Sequence, residues 1–163
     1  MRQVKPAQIP SIPPIPGFSL VIFFITLADG IMSYIAPVRI QESIKDTALV
    51  GVIISISSFF GIFLDILIAQ KLSHKSFKFF ITKAFIFAVL FPIILIVAPG
   101  KTTVFALSMI VWSVYYEFIG YSKYNFVQKY VHLRDHTNAW SMLVTFSSLA
   151  YMLGPGIAVF LNP

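Results

Sequence analysis

Apolar residues run in long unbroken stretches along this chain, and short polar segments separate them. The stretches cover residues 18–38, 48–70, 79–98, 102–127 and 138–161. An α-helix rises about 1.5 Å per residue, so roughly 20 residues cross a hydrocarbon core about 30 Å thick. Each stretch is long enough to span. The breaks carry the polar residues: RIQESIKDT at 39–47, KLSHKSFK at 71–78, Pro99-Gly100, and QKYVHLRDHT at 128–137. Pro37 marks the end of the first stretch, and the connections are too short to hold a soluble core. The pattern predicts an all-α, polytopic membrane helix bundle of about five spans. Ahead of it lies a Pro-rich tail over residues 1–17, read as a linker because proline lacks a backbone donor and resists helix. The tail has no short apolar core with a small-residue cleavage site, so the first span is read as retained rather than as a signal peptide.

Composition strengthens that reading. Of 163 residues, 58% are hydrophobic and only 11% charged, against about a quarter charged in an average soluble domain. The mean hydropathy is +0.86. A polar shell cannot be built from so few polar groups, and lipid removes the need for one. The net charge of +6 does not point to nucleic acid, because the basic residues lie between apolar runs rather than on a patch or stripe. With no cysteine, neither disulfides nor cysteine metal sites arise, and nothing marks a cofactor.

The basic residues instead set orientation. With the N-terminus inside, Arg2, Lys5, Lys71, Lys75, Lys78, Lys123, Lys129 and Arg134 fall on the inner side; Arg39, Lys45 and Lys101 fall outside. The excess of Lys and Arg on one side is the positive-inside pattern. It predicts a multi-pass protein of the cell (cytoplasmic) membrane, N-terminus inside and C-terminus outside after five spans.

Ionisable groups inside a span cost roughly 2.5–3.5 kcal/mol each on insertion scales, so they are the first candidates for chemistry. Asp29 lies near the middle of the first span, with Thr26 and Ser33 at i−3 and i+4 on its face. This stripe is a candidate proton or cation site, and helix packing is the competing reading. Glu117 lies in the fourth span among Trp112, Tyr115, Tyr116, Tyr121 and Tyr124. Aromatic rings beside a carboxylate suit an amphipathic or cationic solute. Asp65 and Lys83 lie near helix ends, where long side chains reach the headgroups.

The second span ends in Gly61-Ile62-Phe63-Leu64-Asp65, followed by a short basic connection. This resembles the G-x-x-x-D start of the loop signature of major facilitator superfamily transporters. The fifth span carries Leu153-Gly154-Pro155-Gly156, similar to the Gly-Pro step of that family's fifth helix, and Gly51 opens the second span as in the family. The chain departs in two places. Ile66 stands where a basic residue follows the Asp, the cations coming late at Lys71, His74 and Lys75. Tyr116 stands where the family's fourth helix has an Arg. The resemblance covers residues 18–161, the first five of twelve helices. It implies alternating-access transport of a small solute, with protons as a further partner, by two halves rocking about a central site. The missing half would be a further segment or a second copy. Helices 1, 2, 4 and 5 would line the cavity, Gly61, Asp65, Lys71 and Lys75 would act in gating, and Gly154 and Pro155 would give close packing and a bend. Substrate or proton contacts would fall to Asp29, Glu117, Tyr116, Trp112, Thr26 and Ser33.

The competing reading is a non-transporting membrane subunit or degenerate fragment. An enzyme is not expected. An aspartyl dyad needs two carboxylates at one depth sharing a proton, and Asp29 is central where Asp65 is near the inner end. A serine protease needs a histidine partner, and His74, His132 and His136 are all in connections. The same positions leave no intramembrane metal site.

Overall fold

The structure is a computed structural model, and it describes residues 15–97 and 100–161. Every long element there is a helix: α1 (Ile15–Ile44), α2 (Thr47–Lys71), α3 (Phe77–Val97), α4 (Thr102–Tyr130) and α5 (His136–Leu161). All five are long and apolar enough to cross a membrane, α5 together with the turn before it. The chain is a multi-pass membrane helix bundle.

The helices outrun the apolar stretches at several ends. The first extends to Ile44, past Pro37 and through Arg39–Ser43, so the expected loop at 39–47 shrinks to Lys45 and Asp46. Hydropathy reports which part of a helix sits in lipid, not where its hydrogen bonding stops. Proline removes one donor, a loss that membrane helices absorb, and Ser43 continues the turn by donating to the Arg39 carbonyl. The helix stops where Lys45 takes φ 58°, a left-handed conformation that no helix continues through. Asp46 then caps α2, its carboxylate accepting from the amides of Ala48 at 3.0 Å and Leu49 at 3.2 Å. At the far end α4 runs on to Tyr130, so Gln128–Tyr130 join the helix instead of the connection, and Lys123 stands half-buried within it. A single turn of 3-10 helix, Leu133–Asp135, leads into α5. The expected Pro-rich linker, Arg2 and Lys5 lie outside the described residues, as do Ala98 and Pro99, while Ile15–Gly17 already belong to α1.

Packing pairs α1 with α5, and α4 with both α2 and α3. The outward face is predominantly apolar: Phe59 is 81% exposed and Phe160 88%. In water that surface would be untenable, and in lipid it is the expected one. Large apolar residues are therefore found both on the outer surface and in the core, while the buried polar groups gather inside the bundle. The least apolar helix, α4, is the most enclosed, with Ser108, Ser113, Ser122, Trp112 and Tyr115 all buried. The end of the bundle where α1 and α3 begin and α4 finishes is lined by rings: Phe18 stacks on Phe126 at 3.9 Å, and Phe77 meets both edge-on.

The α1–α5 contact is a backbone crossing at two glycines. A Cβ on Gly154 would lie 2.5 Å from the Gly30 carbonyl carbon, and one on Gly30 would lie 3.2 Å from the Ala150 carbonyl oxygen. Only hydrogen at Gly154 permits that approach, and Gly30 leaves little room for more, the small-residue packing that membrane helices use where lipid offers no hydrophobic drive.

Candidate functional site

The glycine crossing brings Asp29 of α1 against Tyr151 of α5, which lies three residues before Gly154 and so on the same face. Asp29 is buried, 5% exposed. Trp112 of α4 donates from Nε1 to its Oδ1 at 2.7 Å. The Tyr151 hydroxyl donates to its Oδ2. A further link, 3.3 Å long, joins the Tyr151 and Tyr116 hydroxyls. One carboxylate thus holds α1, α4 and α5 together, and both of its oxygens are satisfied. The Trp112 ring is fixed in turn by stacking on Phe91 of α3, 5.0 Å between centroids and 9° from parallel.

The stripe expected around Asp29 has no hydrogen bond between its members among those the structure shows. Thr26 is buried beside it, but Ser33 turns its hydroxyl back to the Gly30 carbonyl at 2.8 Å. A serine in a helix has this local partner always at hand, so i+4 spacing alone does not make it a ligand.

Glu117 occupies a different place, a cleft of about 620 Å³ between α2 and α4. Ile54, Ser57, Ser58, Gly61, Ile62 and Asp65 form its α2 wall; Trp112, Ser113, Tyr116 and Glu117 form its α4 wall. A second recess of about 420 Å³ adjoins it, lined by Asp65, Glu117, Gly120, Tyr121 and Tyr124. Both carboxylates border both recesses. Glu117 Oε1 and Ser113 Oγ reach within 3.1 and 3.3 Å of where a Cβ on Gly61 would stand. The glycine leaves the room they fill. Tyr121, one turn beyond Glu117, donates to the Asp65 backbone carbonyl at 3.3 Å and ties the lower part of the cleft.

Trp112 and Tyr116 join the two places. Trp112 bonds Asp29 with its nitrogen and lines the cleft with its ring; Tyr116 lines the cleft and reaches Tyr151. On its other side, Asp29 borders an apolar pocket of about 260 Å³ with Ile25, Met32, Phe91, Pro92 and Tyr115. Lys71 and Lys75 stand exposed around the α2–α3 turn, away from the cleft, with the Lys75 ammonium 5.8 Å from the Phe79 ring centre. Lys83 is exposed on α3. Gly154 forms the crossing, and Pro155 follows it inside α5.

Three contributors escaped the sequence reading. Tyr151 is one; its signal was the i, i+3 relation to Gly154. The pairing of Asp65 with Glu117 is another, and it required knowing that α2 packs on α4. The third is the Ser113 hydroxyl, buried and without a partner. No known protein family, curated protein or solved structure compared with the chain matches it.

Proposed function

We propose that this bundle forms part of a secondary transporter of the major facilitator type, moving a small solute by alternating access with Asp29 as a proton site. The solute site in this reading is the α2–α4 cleft, with Glu117 as counter-charge and Trp112 and Tyr116 as aromatic walls. The observation that supports it is the polar seam from Asp29 through Trp112 and Tyr116 to Glu117 inside a bundle whose outer surface is predominantly apolar. Carboxylates are expensive inside a membrane span, and those that persist there usually serve ions, protons or substrates. Asp29 lies behind the Trp112–Tyr116 wall and Glu117 in front of it, so the state of one acid can reach the other through the rings that stand between them. The second half of the pathway would come from a further segment or a second copy, and Gly61 and Asp65, at the cytoplasmic side in this orientation, would move with the gate.

The full-length protein, reconstituted in vesicles with an imposed pH gradient, tests this. Uptake of small organic cations is expected to follow the gradient. Asp29→Asn and Glu117→Gln keep the shape, and the Asn amide can still accept from Trp112 while donating to the Tyr151 hydroxyl, so both variants should insert normally and lose gradient-driven uptake. Wild-type uptake in both would return these residues to packing, and absence of any flux in the native protein would favour a non-transporting subunit.

A further inference from the structure

Asp65 and Glu117 face one cleft, and they are the only charged side chains lining either of its two recesses among the described residues. Two carboxylates alone would be an ordinary acidic cluster. Four buried serine hydroxyls lack a partner among the described residues, Ser19, Ser113, Ser122 and Ser147, and of these Ser113 lines this cleft. Ser113 is 2% exposed and lines the same cleft, yet its oxygen has no hydrogen-bond partner. A buried hydroxyl left without a partner is destabilising. An occupant with N–H donors would supply one.

The spacing of the acids follows from the helices. Gly61 and Asp65 are one turn apart on α2, about 6 Å along the axis. Glu117 Oε1 packs at Gly61, the upper of the two levels. Tyr121, one turn further along α4, packs at Asp65, the lower level. The two carboxylates therefore mark two points along the cleft, separated by roughly one helical turn. Between and around them stand the rings of Trp112, Tyr116, Tyr121 and Tyr124. Aromatic faces attract ammonium groups and the methylene chains that carry them.

A divalent metal ion fits less well. Calcium takes six to eight oxygen ligands and magnesium demands tight octahedral geometry, whereas two acids a turn apart in an aromatic cleft do not converge on one point. An organic dication answers both features. An all-trans chain of four to five carbons places its terminal nitrogens roughly 6–7 Å apart on standard bond lengths.

We propose that the α2–α4 cleft binds a linear diamine of about four to five carbons, one ammonium on Glu117 with Ser113 as an added acceptor, the other on Asp65. The proposal rests on reading this cleft as the solute site and specifies what occupies it. It makes Asp65 a binding group as well as a member of the moving interface.

Calorimetric titration of the purified full chain in detergent at pH 7 tests it with 1,4-diaminobutane and 1,5-diaminopentane. Butylamine and pentylamine serve as single-charge controls, and 1,2-diaminoethane and 1,8-diaminooctane as length controls. The four- and five-carbon diamines should bind at least tenfold tighter than the monoamines and than either length control. Asp65→Asn and Glu117→Gln should each bring diamine affinity down to the monoamine level. Ser113→Ala, a milder change, should weaken diamines several-fold. Equal affinity of diamines and monoamines in the native chain overturns the proposal without any variant. So does displacement of the diamine by equimolar magnesium or calcium, or a diamine preference that survives both carboxylate substitutions. Binding and transport separate cleanly: diamine binding with no flux in vesicles removes the transport reading and leaves this site, while monoamine uptake without diamine preference does the reverse.

Discussion

Asp29 accepts two side-chain hydrogen bonds from helices far away in sequence, 83 residues for Trp112 and 122 for Tyr151. Hydrogen bonds to charged groups contribute about 1.5–3 kcal/mol each. Replacing Tyr151 by Phe removes one and keeps the ring. The expected result is a loss of about 1.5 kcal/mol in stability, read as a lower thermal midpoint of the detergent-solubilised protein. An unchanged midpoint would mean that the bond contributes nothing beyond its geometry. The carboxylates, Trp112 and Tyr116 were legible as candidates because charge and aromatic polarity are conspicuous in a lipid-facing sequence. What they touch was not. Ser33 has the correct spacing for Asp29 and bonds its own helix instead, and the sequence places Asp65 near a helix end with nothing to link it to Glu117. Side-chain partners across helices depend on which helices are neighbours, and one chain's hydropathy does not contain that.

At the scale of elements, five helices were legible and their ends were not. Long apolar runs are unambiguous, while Arg39–Ser43 and Gln128–Tyr130 extend helices with residues that any solvent tolerates. The caps decide the ends. Asp46→Ala removes the acceptor for two amides at the start of α2 and should cost about 1 kcal/mol, measured by the same thermal assay. The α1–α5 crossing predicts a larger effect. With a backbone carbon 2.5 Å from its Cβ position, Gly154→Ala must push the helices apart. A loss of about 3 kcal/mol, at the upper end of ordinary overpacking, is expected. It should appear as reduced yield of folded protein and as loss of the Trp112 fluorescence environment set by Asp29. A substitution tolerated without change would show that α5 does not sit where this crossing places it.

At the scale of the whole molecule, orientation comes from charge and remains separable from the fold. Thr47 opens α2 and Ser76 lies in the connection beyond its other end, just before α3, so an impermeant thiol reagent distinguishes them once each is changed to cysteine. Labelling of Thr47→Cys from outside, with Ser76→Cys protected in intact cells, is the expected result. The reverse pattern inverts the topology while leaving every packing contact intact.

The distance in sequence between Asp29 and Tyr151 also dictates an order of events at the ribosome. During synthesis α1 leaves first, carrying a carboxylate that has neither of its donors. Trp112 arrives with α4 and Tyr151 only with α5. Until then the nascent chain holds an acid in lipid at a cost of roughly 2.5–3.5 kcal/mol. Such a helix lingers beside the insertion machinery, or is shielded by an insertase, until its last partner is made. Crosslinking from position 29 should therefore capture that machinery in ribosome-bound chains stopped before residue 136, and release it once α5 has emerged.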